Sequence, residues 1–458
     1  MHDNAMTKGE RRIALVLAGV FSSRMLGLFM ILPVFTLYAE ALRGYTLTLA
    51  GLALGIYGLT QALLQIPMGL LSDRIGRKPV IVAGLLVFAL GSVIAAQSDT
   101  MWGVILGRAL QGAGAIASAV LALAADLTRE EHRLKVMALI GISIGLSFAL
   151  AMVIGPLLHG WFGVPGIFWA TAALAALAIV LVLRAVPKPV SVRFHRDTEV
   201  EPASLGKVLR DSQLLRVDAG IFILHLLLMA NFVVVPGLLE NRFGLPGASH
   251  WQVYLPVLFL SMLVIMPFIF LAEKKRMVKQ ILVFAVGLML AVQAGLAAGI
   301  DSMAGMVFVL WLFFVAFNLL EASLPSLVAK LAPATRKGTA MGAYTTAQFL
   351  GVFVGGAAGG WLVDHYTLTS LFLFNMGLAG IWLLLVISMR QPPYYSSQLL
   401  NVGSLNAQQA EELVGKLSAV PGVIEAIIVA EEGVAYLKVD KPKLDQSALF
   451  AYSVTAQS

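Results

Sequence analysis

The sequence predicts an all-α membrane protein of twelve transmembrane helices in two six-helix halves, followed by a small α+β domain, and three observations predict it. Of 458 residues, 59% are hydrophobic and only 12% charged, about half the charged share of a soluble domain. Apolar segments of about 20 residues, enough to cross a bilayer, recur along the chain as far as Arg390. Lys and Arg fall on alternate connections between them, the asymmetry that orients multi-span proteins. Mean hydropathy of +0.87 excludes a disordered chain. The absence of cysteine excludes disulfides, thiol nucleophiles and iron–sulfur ligation.

The spans fall near 13–38, 47–71, 79–97, 101–126, 135–160, 164–186, 214–238, 251–272, 278–298, 304–328, 338–363 and 368–389. The first follows Arg11-Arg12 without a small-residue cleavage site and reads as a retained helix, not a signal peptide. With the N-terminus in the cytoplasm, 24 Lys and Arg lie inside: Lys8, Arg11, Arg12, Arg74, Arg77, Lys78, Arg129, Arg133, Lys135, seven from Arg184 to Arg216, Lys274, Lys275, Arg276, Lys279, Lys330, Arg336, Lys337 and Arg390. Only Arg43 and Arg242 lie outside. Both termini are therefore expected in the cytoplasm. Residues 1–396 hold 28 Lys/Arg against 18 Asp/Glu, and residues 397–458 hold 4 against 7. The basic excess thus belongs to the lipid-facing part and calls for no nucleic-acid partner.

Arg133, Met137, Gly155 and Phe168 align with Lys337, Met341, Gly359 and Phe372 at an offset of 204 residues, so spans five and six echo spans eleven and twelve. Two six-span halves in parallel repeat, with a solute path between them, is a transporter arrangement. The expected division is residues 1–186 for the first half, a cytoplasmic linker 187–213 containing Pro187, Pro189 and Pro202, and 214–390 for the second half. After Gln391-Pro392-Pro393, residues 397–458 read as a soluble unit: strand Ser397–Val402, a helix capped by Asn406 and running through Ser418, a hairpin of Val423–Val429 and Val434–Val439 around Glu431-Glu432-Gly433, and a short helix in Pro442–Phe450. The order β-α-β-β-α suggests a ferredoxin-like unit.

Between spans two and three stands Gly69-Leu70-Leu71-Ser72-Asp73-Arg74-Ile75-Gly76-Arg77-Lys78. Gly69 and Asp73 lie one helical turn apart, so a neighbouring helix can approach at the glycine and meet the carboxylate. Asp73 sits at the C-terminal end of its helix, where the dipole disfavours an anion, and needs an arginine or the N-terminus of another helix as partner. The stretch resembles the G-x-x-x-D-R-x-G-R-K signature of the major facilitator superfamily. That resemblance implies the twelve-helix major facilitator fold. It also implies a cytoplasmic latch in which Asp73 faces the start of span eleven, near Gly338 and Met341, while Arg77 pairs with Asp126 at the end of span four.

Arg108-Ala109-Leu110-Gln111-Gly112 in span four resembles a second pattern of the superfamily, implying a part in proton transfer; a snorkelling arginine beside the outer interface is the other reading. Gly145 through Gly155-Pro156-Leu157-Leu158-His159-Gly160 in span five resembles the pattern of the superfamily's drug:proton antiporters, which implies a bent helix and tight packing between halves, with Ala151 and His159 departing from it. Three further residues inside spans invite proton coupling: Glu321, His225 and Arg24. Glu321 can take a proton on one face and release it on the other, or serve as a permanent ion-pair partner. His225 can do likewise or bond a backbone carbonyl.

Val420-Pro421-Gly422-Val423-Ile424-Glu425 in the tail resembles the second half of a heavy-metal-associated domain, a family that binds soft metal through paired cysteines. With none here, dimerisation, ligand sensing or modulation of the latch are the roles left. No nucleophile–base pair, metal-ligand cluster or phosphate loop stands at suitable spacing, so no enzyme, metal or cofactor is expected. The expectation is a proton-coupled efflux antiporter for a small amphipathic solute or drug in a bacterial inner membrane. Its partners would be the solute, protons and the bilayer. An uptake symporter and a non-transporting sensor working through the tail are the alternatives.

Overall fold

The computed structural model describes residues 6–187, 199–275, 277–391, 395–430 and 432–454. Lys188, Pro189, Arg193, Arg196, Arg276, Pro392, Pro393 and Glu431, which enter the reading above, lie outside them. The chain runs α1 (Lys8–Phe29), α2 (Phe35–Ala39), α3 (Leu47–Ile75), α4 (Arg77–Gln97), α5 (Met101–Ala113), α6 (Ala117–Asp126), α7 (Glu130–Ala185), α8 (Pro202–Val208), α9 (Ser212–Gly237), α10 (Trp251–Lys274), α11 (Val278–Ala298), α12 (Met303–Leu331), α13 (Lys337–His365) and α14 (Leu368–Ile387). The end of the bundle bearing Arg77, Arg129 and Lys330 is termed the basic face.

Among the described residues eleven helical stretches are long and apolar enough to span a membrane, and one of them, Lys135–Ala185, counts 51 residues. At 1.5 Å per residue it would reach about 76 Å, more than twice the bilayer core. Gly163, at φ 65° and ψ −177°, breaks it where spans five and six were predicted to part. Twelve crossings result. Two predicted spans are interrupted. The first starts earlier than 13, because Thr7 and Glu10 form a capping box that a hydropathy reading passes over, and it stops at Phe29 before the short α2. The fourth parts at Gly114, whose backbone lies against the Gly84 carbonyl of α4. On the face opposite the basic one, helices start on a hydroxyl cap: Thr46, Thr100, Ser302 and Thr367 each accept a backbone N–H three residues on, at 3.1–3.2 Å.

Glycine seams set the packing. On α13, Gly351, Gly355 and Gly359 lie against Phe222, Leu226 and Ala230 of α9, while Gly356 and Gly360 lie against Gly51 and Leu47 of α3. Lipid tails are as apolar as leucine, so close backbone approach carries such contacts. The same relation recurs in the first half, where Gly155 of α7 sits on the Met30 carbonyl at the end of α1. The pair Gly155 and Gly359 from the 204-residue repeat therefore occupy matching seams. The main apolar core runs through the second half and takes in Met30–Leu42, Ala50–Leu54 and Phe148–Phe168 of the first. The rest of the first half, toward the basic face, forms a core of its own, with Leu17, Leu85 and Leu123 among its members. The halves merge at the opposite face and part toward the basic one.

The tail folds as β1 (Ser396–Asn401), α15 (Ala407–Ser418), β2 (Val423–Val429), β3 (Val434–Val439) and α16 (Gln446–Phe450), an antiparallel sheet of order β1-β3-β2. Leu400, Ala435, Leu437 and Val439 face Leu417 and Leu449 of its helices. The reverse side of the sheet is buried as well, at Leu399, Val434 and Tyr436. There the tail meets α7, α12 and the turn Ala334–Arg336, and so touches both halves.

Candidate functional site

At the basic face, Gly76 closes α3 and opens α4 with φ 99°, a conformation that favours glycine. It turns Arg77 back over the last turn of α3. Arg77 is 2% exposed. Its Nε donates to Asp126 at 3.2 Å, Nη1 to Ser72 Oγ at 2.9 Å and to Asp73, and Nη2 to Glu199 at 2.9 Å. Ser118 of α6 comes within 3.0 Å of where a Cβ on Gly69 would stand, the close approach expected of that glycine. Lys78 Nζ donates to the Val186 carbonyl at the end of α7, 2.6 Å away.

The first turn of α13 does not receive Asp73 by any hydrogen bond or ion pair among the described residues; the latch that the resemblance implies would hold the halves with the opposite face open, and here that face is closed. The linker stands between them. Glu199 takes Arg77, Val200 packs where a Cβ on Gly342 would lie, and the Glu201 backbone N–H donates to Thr339 Oγ1 at 2.9 Å. Three linker residues thus fill a gap between halves that a helix-to-helix contact was expected to close.

Burial pushes the Glu199 carboxyl up to about 8, with Arg77 pulling it down and Asp73 pushing it up. Between its ordinary 4.5 and about 8 the docked linker holds a proton that a free linker lacks. Docking is therefore strongest below that window and weakens as pH rises through it. Hydrogen exchange over Val200–Ser204, corrected for intrinsic rates, should be faster at pH 9 than at pH 6, and equal protection would contradict the assignment.

A second assembly sits halfway through the second half. His225 is buried on α9, with Nδ1 donating to the Ile221 carbonyl at 3.3 Å and Nε2 accepting from Gln348 of α13 at 2.8 Å. Gln348 Nε2 also reaches Glu321 Oε1 of α12 at 3.4 Å, and Glu321 Oε2 is 3.8 Å from His225 Nε2. The carbonyl bond of one reading of His225 is thus present on Nδ1, and a carboxylate stands near the other nitrogen. Glu321 has no Lys or Arg partner among the described residues, against the reading of a permanent ion pair. Its side chain keeps 36% of its surface open.

Arg24 and Arg108 lie in the first half, both over the Tyr57 ring, at 5.6 and 5.2 Å from its centroid. Arg108 is fully buried and donates to the Ala53 carbonyl at 3.3 Å and to Gln111 Oε1 at 2.8 Å. It does not snorkel, because α3 carbonyls and the Gln111 amide satisfy it in place. Arg24 donates to Gln61. In span five, Gly160 faces Ala248 across the halves, but Gly155 packs within its own half and nothing lies within 4 Å of a Cβ on Gly145. The expected packing between halves therefore rests on Gly160 alone of the three glycines. Pro156 sits in continuous helix, and the break comes at Gly163.

On the opposite face, Asp364 of α13 accepts from the backbone N–H groups of Leu47 and Thr48, at 3.2 and 2.6 Å, and from Thr48 Oγ1. His250 Nδ1 lies 3.1 Å from the Pro33 carbonyl. At mid-depth Phe148 meets Phe314 and Phe317. These contacts close that face, leaving a shallow cavity of about 460 Å³ lined by Thr36, Tyr45, Asn241 and Arg242.

Glu199, Gln348, Tyr57, Gln61 and Asp218 were not singled out from sequence. Asp218 had a signal, since it lies six residues inside the apolar α9, the same argument that selected Glu321. An amide such as Gln348 or a linker acid such as Glu199 carries no such mark.

This is the build of a multi-span membrane transporter. Residues 17–355, and in a second overlapping stretch 275–430, match the Major Facilitator Superfamily, and the chain belongs to that family. It is 49% identical over 440 residues to the inner membrane transport protein YajR of Escherichia coli (strain K12), covering 96% of each chain. It is 27% identical over 366 residues to the multidrug resistance protein MdtH of Yersinia enterocolitica serotype O:8 / biotype 1B, spanning 78% of this chain and 89% of that one. Among solved structures, a bacterial homolog of the human lysosomal transporter Spinster, inward-facing and occupied, matches with a TM-score of 0.68 over 84% of this chain and 97% of that one. At 12% identity the likeness is one of fold.

Proposed function

We propose that the chain is a proton-coupled antiporter that exports a small amphipathic solute from a bacterial cell, working by alternating access of residues 1–186 against residues 214–390. The basic face would lie in the cytoplasm, with both termini and the tail, and the membrane would be the inner one, as in the name of YajR. One observation carries the coupling: Glu321 stands deep in its span with 36% of its side chain open, His225 3.8 Å away and no Lys or Arg partner among the described residues. Such a carboxylate exchanges its proton with the solute, since it can be neutral with a proton or anionic beside a cationic guest. The name of MdtH, a multidrug resistance protein, supports export of drug-like compounds, and the motifs around Arg108 and Gly155 support proton-coupled antiport. An exchange of one proton for one monovalent cation moves no net charge, so the pH gradient drives it.

The test uses the full chain in proteoliposomes with a fluorescent amphipathic cation and an imposed pH gradient. Wild type should move the cation against the proton flux. Glu321→Gln should slow gradient-driven flux by about 100-fold, the scale of a positioned proton-transfer group, and keep solute counterflow. Flux in the proton's own direction would make the protein a symporter, and a wild type indifferent to the gradient would remove the coupling.

A further inference from the structure

Asp218 is the buried carboxylate that the Arg77 network and the Glu321 trio leave unused. It is 8% exposed, and its Oδ1 has no hydrogen-bond partner among the described residues. The same holds for the Tyr344 hydroxyl, on a residue 2% exposed, and for Glu321 Oε2. Tyr344 lies one turn from Gln348 on α13 and Asp218 two turns from His225 on α9, and Gln348 bonds His225 and reaches Glu321, so the three belong to one seam. An orphaned polar atom in an apolar span is costly, and three facing one another along one seam need a reason.

Their depths supply it. Measured from the basic-face ends of α9, α13 and α12, at 1.5 Å per residue, Asp218 lies about 9 Å in, Tyr344 about 10 Å, Glu321 about 15 Å, Gln348 about 16 Å and His225 about 20 Å. Asp218 and His225 are seven residues apart on one face of α9, and Tyr344 and Gln348 are four apart on one face of α13. The two helices run together along the seam of Gly351, Gly355 and Gly359. Polar groups therefore form a file that climbs from the basic face to the bilayer centre, with Asp218 at its shallow end.

We infer that Asp218 and Tyr344 form the proton path between Glu321 and the solvent at the basic face. None of the three hydrogen-bonds another in this arrangement, so water between them carries the relay: in the export step Glu321 loses a proton toward Tyr344, whose hydroxyl takes one up and passes its own on to Asp218. Asp218 then releases that proton to water, and Tyr344 ends unchanged. No Lys or Arg forms an ion pair with Asp218 among the described residues. The titratable residues on the helices packed against α9 are Lys337, Tyr344, Asp364 and His365 of α13, Glu321 and Lys330 of α12, Tyr57, Asp73 and Arg74 of α3 and Tyr38 of α2, while α14 has none. Of these, only Tyr344 and Glu321 share its site.

This inference rests on the proton-coupled reading, and the same proteoliposomes separate the two. Asp218→Asn should reduce pH-driven flux at least about tenfold, leave counterflow within about twofold, and lose the wild-type pH profile. Tyr344→Phe should behave alike, and Asp218→Glu should restore coupling with a displaced profile. Counterflow is the readout that a merely structural role would move. A coupled wild type with an Asp218→Asn variant indistinguishable from it would overturn the path alone. Equal loss of counterflow in Asp218→Asn and Asp218→Glu would overturn it too, as a packing role. Absence of pH-driven flux in wild type would overturn the coupled reading and the path with it.

Discussion

Replacing Arg77 with alanine is expected to cost about 3–5 kcal/mol of stability, the scale for removing one partner of a buried ion network. The magnitude follows from what the guanidinium leaves behind. Arg77 is 1% exposed in its side chain and Asp126 0%, so the Asp126 carboxylate has no route to water without opening the basic face, while Glu199, 6% exposed, joins it as a buried charge above about pH 8. Asp73, 30% exposed, would be relieved in part by solvent. Lysine should recover less than half of the loss. One ammonium cannot replace a planar fork that reaches Asp126 through Nε, Asp73 and Ser72 through Nη1 and Glu199 through Nη2. Thermal unfolding in detergent reads the stability, and exchange over Val200–Ser204 reads whether the linker has left. An Arg77→Ala protein within about 1 kcal/mol of wild type would show the network to be a solvated surface cluster, which typically contributes that little.

How far these features could be read from sequence divides along a physical line. Spans were legible because burial in lipid is set by composition over about 20 residues, and Gly76 because it stands in a run of glycine and charged residues that resembles a family signature. Arg77 stood out in that run, and Asp126 as the partner that the resemblance implies for it. Glu199 did not: the linker holds Asp197, Glu201 and Asp211 as well, and only packing distinguishes the one that reaches Arg77. The glycines of span five show the opposite error. Gly145, Gly155 and Gly160 look equivalent in a pattern, yet one faces nothing, one faces its own half and one faces the other half. Spacing on a helix gives a direction but not the neighbour standing there. Asp218 was within reach of sequence reasoning and went unnoticed, since at six residues from a helix start it could pass for an interfacial charge.

Gly356→Val should hold the protein open on the face that this structure shows closed. A Cβ at 356 would fall on the Gly51 carbonyl oxygen, with Gly55 N and Cα at 3.0 and 3.1 Å. Those atoms are backbone of α3 and cannot turn aside as a side chain would, so the helices must separate. Overpacking of this kind costs about 1–3 kcal/mol, and the cost falls on the closed arrangement alone, because the seam between α3 and α13 is a contact between halves. A difference of about 2.7 kcal/mol displaces a two-state equilibrium by about 100-fold. A transporter whose two states lie near balance would then spend almost all its time in one, and flux should fall by a similar factor while the fold survives. The absence of native cysteine makes the state directly readable. With Thr48→Cys and Asp364→Cys, residues whose side chains hydrogen-bond across the seam, oxidative cross-linking should be efficient in the parent and sparse with Gly356→Val added. Gly377→Val is the control, since nothing lies within 4 Å of a Cβ there, and it should cross-link like the parent. Undiminished cross-linking together with undiminished flux in Gly356→Val would mean that the two halves do not close on this glycine seam.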